Sequence, residues 1–217
     1  MAPALPRVLL LRGMSSGILD RLQQELRGEM DFVTAPIPVP LIGLQWLRHP
    51  CGIPIVLLLT AGPIALYYAF RNHSPEFGMV LVIACLGLFR MLPQGLVRGL
   101  VPEAVRVALQ YLQPVECGGC CCAVGFSWGG GVLHHVLAEK HWTGHALLLC
   151  PATSTMSMVA GDEQPPTLSS LAAAKVCVVG AKDDPLCDSE CMQHFHRSGA
   201  TCFIAEDEHK LLKNKSL

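Results

Sequence analysis

Short, wholly apolar runs alternate along this chain with longer segments whose apolar positions recur at helical spacing. Arg7–Arg12 reads RVLLLR and ends at Gly13, the pattern of a strand buried on both faces. Residues 15–28 follow, with Ile18, Leu19, Leu22 and Leu26 on one face and Asp20, Gln24 and Arg27 elsewhere, which predicts an amphipathic helix closed by Gly28. DFVTAPIPV at 31–39 predicts a second strand, stopped by Pro36, Pro38 and Pro40. Beyond residue 101 the alternation resumes. A helix is expected over 102–112 (Val105, Ala108, Leu109 and Leu112), a strand over 120–126, a helix over 130–141 and a strand over 145–150. A strand at 174–180, a helix at 189–199 ended by Gly199, and a last strand at 201–206 complete the series. Strands that alternate with helices predict an α/β fold with a doubly wound, mostly parallel sheet. No internal repeat interrupts it.

The stretch 41–101 breaks the rhythm. IPIVLLLTAGPIALYYAF at 53–70 carries no charge, and Tyr67, Tyr68 and Phe70 followed by Arg71 resemble an interfacial belt. A second apolar run, 77–89, is cut short by Arg90. Strands on both sides of the insert belong to one sheet, so it crosses a membrane twice or not at all. The expectation is an apolar helical insert, either a membrane or interfacial hairpin or a lid over the site, with membrane contact through 53–89.

Composition narrows this picture. The 217 residues fit a single domain, 1–217, and are 51% hydrophobic and only 15% charged, with a formal net charge of −1. Scattered Lys and Arg at that net charge argue against a nucleic-acid partner. The apolar run after Arg7 is too short for a secretory signal, so the eleven cysteines are expected to be reduced thiols in an intracellular protein, cytoplasmic or membrane-associated. Cys117-x-x-Cys120 invites a zinc reading, but Cys120, Cys121 and Cys122 would alternate faces of a strand and could not converge on one ion. Buried thiols acting as small hydrophobes are the expectation, with no metal and no cofactor.

The chemistry-bearing stretch is VGFSWGGG at 124–131. A serine between glycines, just past a strand and just before a helix, fits G-x-S-x-G, in which the serine stands on a sharp strand-to-helix turn. VVGAKDDP places Asp183 and Asp184 after another strand, and AEDEHKLL places His209 after the last. Serine, acid and histidine thus fall in that order at strand ends, where catalytic groups of open α/β sheets collect.

With these motifs the chain resembles the α/β-hydrolase superfamily from Arg7 to about Leu212, and GFSWGGGVLHHV looks most like its dienelactone-hydrolase branch, although serine stands where that branch usually carries cysteine. The resemblance implies a serine hydrolase acting on a small-molecule ester or thioester (acyl) substrate. In it Ser127 attacks, His209 takes its proton, and Asp183, three positions after Gly180, orients the imidazole, with Asp184 as the alternative acid. It further implies that the backbone amides of Met14 and Trp128 form an oxyanion hole. The second expectation is a catalytically inactive, membrane-associated binding scaffold with a hydrolase fold, motivated by Arg12 beside the oxyanion site, by Lys210 after the histidine and by the insert.

Overall fold

The computed structural model describes residues 5–14, 17–40, 67–68, 71, 75–112 and 120–211. Six strands form one sheet in the order β2-β1-β3-β4-β5-β6, every pair parallel. They are β1 (Arg7–Leu11), β2 (Asp31–Ala35), β3 (Cys122–Phe126), β4 (His145–Leu149), β5 (Val176–Asp183) and β6 (Thr201–Glu208). The helices are α1 (Gly17–Glu25), α2 (Pro75–Tyr111), α3 (Trp128–Ala138), α4 (Thr153–Ala160), α5 (Ser170–Ala173) and α6 (Ser189–Arg197).

The apolar runs become central strands because only a strand covered on both faces tolerates hydrophobes at consecutive positions. Leu9, Leu10 and Leu11 of β1 are wholly buried, as are Leu148 of β4 and Val178 of β5. Each buried side chain of this size contributes roughly 1.5–3 kcal/mol. At the far edge, β6 exposes both Phe203 and Ile204.

The sheet steps one way from β1 to β2 and the other way from β3 through β6. Right-handed crossovers then put α1 on one face and the later helices on the other, where α2, α3 and α4 pack together. The reversal leaves β1 and β3 as neighbours, with Leu11 beside Gly125. A crevice opens between the carboxyl ends of two strands at such a switch point.

Two expectations are corrected. The apolar run 77–89 and the helix foreseen at 102–112 are one helix, α2, which passes through Pro93 and Pro102. Each proline removes a backbone donor. The helix continues because Val97, Leu100, Ala104, Val105 and Ala108 bury one face in the core, and that packing outweighs the lost bonds. The helices α4 and α5 were not foreseen; both are short, and α4 (TSTMSMVA) carries little apolar periodicity. The first apolar run, 53–70, falls almost wholly outside the described residues. No helix among the described residues is long and apolar enough to cross a membrane.

Candidate active site

Ser127 follows β3 immediately and caps α3, with φ 54° and ψ −117°. That backbone conformation is strained for a non-glycine residue and persists only where the surroundings over-determine it. Here they do. Its N–H donates to Leu149 O at 2.9 Å, and its carbonyl accepts from Gly131 N and Ala152 N at 3.0 Å each. The two glycines of the motif are required by close approach. A Cβ on Gly125 would stand 2.6 Å from Gly129 O, and one on Gly129 would drive into the Leu11 carbonyl. Strand β1, strand β3 and the start of α3 therefore meet with no room for a side chain.

His209 lies in the turn that follows β6, and its imidazole bridges two side chains. Nε2 is 2.9 Å from Ser127 Oγ, and Nδ1 is 2.8 Å from Asp184 Oδ2. With Asp184 ionised, Nδ1 carries the proton and donates to the carboxylate, which leaves Nε2 free to accept from the serine hydroxyl. The Phe126 ring packs against the imidazole at 5.3 Å between centroids. The chain is held at this turn by Leu211, almost fully buried and at φ 51°, whose N–H bonds Glu208 O at 2.9 Å. Leu211, rather than Lys210, takes the left-handed conformation, so the lysine after the histidine imposes no strain.

The acid is the point of correction. Asp183 was expected to hold His209, with Asp184 as the alternative; the structure brings Asp184 to the imidazole and leaves Asp183 exposed as the last residue of β5. Strand β5 runs three residues past its expected end at Gly180, and its register against β6 shifts between Ala181 and Asp183. Adjacent strand residues face opposite ways, so the first residue off the extended strand is the one that turns inward. The Asp184 side chain is fully buried. Its second oxygen accepts from Leu186 N–H at 2.8 Å, an Asx turn two residues on. Burial works against its ionised form, but the bonds from His209 and from the Leu186 amide outweigh it and hold the carboxyl below its ordinary value.

The proposed oxyanion donors lie at the same corner. Trp128 begins α3, so its N–H is one of the leading helical amides with no partner within the helix. Gly13 is pressed against the elbow: a Cβ there would stand 2.7 Å from Ser127 Cβ and 3.2 Å from Trp128 N. The turn that carries Met14 is thus held beside the serine. Arg12 turns away and pairs with Asp20 at 2.8 Å. Sequence reasoning gave Trp128 a backbone role alone; its indole also donates to Pro38 O at 3.0 Å, tying the loop after β2 to the elbow.

One neighbour was missed altogether. Cys150, fully buried directly after β4, brings its sulfur within 4.8 Å of both the Asp184 carboxylate and an imidazole nitrogen of His209. Burial, and then the charge of Asp184, push its thiol well above the ordinary value. Its sequence signal was its place at a strand's carboxyl end, the same edge that carries the other groups. Among the other described thiols, Cys120, Cys121, Cys122, Cys177, Cys187, Cys191 and Cys202 form no disulfide. Cys117 of the Cys-x-x-Cys pair lies outside the described residues.

No family model matches the chain, and no curated protein matches it in sequence. Among solved structures it is similar to TT1662 from Thermus thermophilus, with a TM-score of 0.51 and 14% identity over 96% of this chain and 83% of that one. That likeness establishes the α/β fold with its parallel sheet.

Proposed function

We propose that the protein is a serine hydrolase that cleaves a small-molecule ester or thioester by acyl transfer. The observation that carries the reading is the continuous path from Ser127 Oγ through His209 to Asp184, with separations of 2.9 and 2.8 Å, built on a strained elbow at the sheet's switch point. His209 Nε2 takes the hydroxyl proton as Oγ attacks the carbonyl carbon. Asp184 stabilises the imidazolium that forms, and the Trp128 and Met14 amides face the developing oxyanion. His209 then returns the proton to the leaving group, and a water repeats the sequence to release the acid. The resemblance of the elbow segment to the dienelactone-hydrolase branch supports this chemistry, while Ser127 in place of cysteine leaves the substrate of that branch behind.

The substrate side of the proposal includes a lipid surface. Met79, Val80 and Ile83 project from the first turns of α2 and are each about two-thirds exposed, at 64, 64 and 65%. Tyr67 and Tyr68 are exposed ahead of them, and Arg71 donates to the Tyr67 hydroxyl at 3.1 Å. Exposed apolar side chains, amphipathic tyrosines and a cation within one stretch of the sequence suit the boundary between headgroups and acyl chains.

Labelling with a fluorophosphonate probe tests the reading. Wild-type protein is expected to label, and Ser127→Ala to lose the label while keeping its circular dichroism. Absence of labelling in folded wild-type protein would overturn the hydrolase in favour of a binding scaffold. Flotation with lipid vesicles, wild type against Met79→Ser/Ile83→Ser, tests the membrane contact; equal flotation of the two would remove it.

A further inference from the structure

We infer that the back of this site is an inhibitory binding site for zinc, or for a borderline divalent ion like it, formed by Cys150 Sγ, an Asp184 carboxylate oxygen and His209 Nδ1. The sulfur, a carboxylate oxygen and an imidazole nitrogen of these residues lie within 4.8 Å of one another, and Nδ1 is the nitrogen that meets the carboxylate, at 2.8 Å. They come from three separate places, the end of β4, the loop after β5 and the turn after β6, and those strands are consecutive in the sheet. Each therefore sits on a strand end whose position the sheet fixes, and the three converge without belonging to one flexible loop.

The donor set selects the metal. One sulfur, one imidazole nitrogen and one carboxylate oxygen suit zinc, whereas magnesium and calcium ask for oxygen alone. Tetrahedral zinc with ordinary bond lengths holds such ligand atoms about 3.3–3.6 Å apart. The Nδ1 to Oδ2 separation of 2.8 Å has to open slightly, and the sulfur closes in from within 4.8 Å. His209 keeps about a fifth of its side chain exposed, at 21%, while the Asp184 side chain and Cys150 are fully buried.

Charge also balances. In the free site the buried Asp184 carboxylate faces a neutral imidazole and a neutral thiol. Zinc brings two positive charges, the Cys150 thiol releases one proton to solvent, and the thiolate and carboxylate together neutralise the ion. At His209 the proton leaves Nδ1, which becomes a ligand, and Nε2 takes one up, so the ring stays neutral. No oxidation or reduction occurs.

The consequence for Ser127 follows from the tautomer. With Nδ1 on the metal, Nε2 carries hydrogen and donates to Ser127 Oγ instead of accepting from it. The serine then has no base, and its attack stops, although nothing blocks the pocket in front. This consequence rests on the proposed hydrolase; the metal site does not.

The experiment uses the full chain as wild type, Cys150→Ser and Ser127→Ala, titrated with cobalt(II) and read by thiolate-to-cobalt absorption. The other thiols contribute equally to all three proteins, so the difference between them is decisive. Wild type and Ser127→Ala are expected to bind one equivalent more than Cys150→Ser. Identical stoichiometry in wild type and Cys150→Ser would overturn the site. Should Cys150→Ser not fold, Cys150→Ala supplies the same comparison.

Zinc chloride is then added before the fluorophosphonate probe. It is expected to block labelling of wild type, reversibly on adding a chelator, and to need at least tenfold higher concentration against Cys150→Ser. Equal zinc sensitivity would overturn the inhibitory role. If wild type fails to label even without zinc, the hydrolase reading falls, and the cobalt difference still decides the metal site.

Discussion

The serine turn and the acid loop stand side by side at one edge of the sheet, yet they are specified in opposite ways. At the serine turn the residue types that the geometry demands stand within the motif itself, even though some of the atoms they meet, such as the Leu11 carbonyl, come from elsewhere in the chain. Gly125, Ser127 and Gly129 lie within five consecutive positions, and replacing either glycine forces atoms into Gly129 O or the Leu11 carbonyl. At the acid loop two aspartates stand next to each other with the same chemistry, and nothing in their immediate neighbours chooses between them. The choice is made by how far β5 runs and where its register against β6 shifts. A steric rule can be read from a motif; a register cannot.

The largest effect expected from breaking this contrast is on the acid. Asp184→Asn leaves the shape intact but removes the charge that holds the Nδ1–H tautomer, and should lower kcat/KM for an ester substrate about 10³–10⁴-fold. Asp183→Asn, measured in the same assay, should stay within about twofold. A reversal of the two would return the role to Asp183.

Next in size is the elbow itself. Gly129→Ala is expected to cost about 3 kcal/mol or more of folding stability, read from urea unfolding, because backbone rather than a yielding side chain stands in the way. A cost under about 1 kcal/mol would mean that β1 and α3 can separate.

Acid separates the two regions by pH window. Behind the serine, His134 of α3 is wholly buried, and neither ring nitrogen has a hydrogen-bond partner among the described residues. Burial, and then the neighbouring His135 and His194, lower its pKa to about 3. The unfolded chain takes up this proton below about pH 6.5 while the folded chain refuses it, so its contribution to stability falls as pH drops from about 6.5 towards 3. His134→Leu should remove about 2 kcal/mol of the loss seen between about pH 6.5 and 4.5, followed by denaturant titrations at each pH. Asp184 acts lower down. Its folded carboxyl is held below the ordinary value, so its contribution is complete above about pH 4 and is lost only as pH falls further. Asp184→Asn should leave the upper window unchanged.

The smallest effect concerns the ion pair beside the site. Arg12 and Asp20 meet at 2.8 Å with both side chains substantially exposed. Asp20→Asn should shift stability by less than about 1 kcal/mol, by the same titration. A larger loss would show that the pair fixes the start of α1 against the elbow.

What the sequence by itself determined was the alternation of buried strands with helices, and the serine between two glycines. The first depends on burial period and the second on a short motif, in which Gly125 meets Gly129 within four positions. The order serine, acid, histidine was equally legible, since each stands just after an apolar run. The unbroken course of α2 through Pro93 and Pro102 was hidden, because the packing of Val97, Leu100 and Ala104 against the core outweighs what proline does locally. Asp184 rather than Asp183, and the presence of Cys150 behind them, were likewise decided only by tertiary structure. Both follow from the alignment of β4, β5 and β6, whose register is set by hydrogen bonds between residues more than twenty positions apart in the chain.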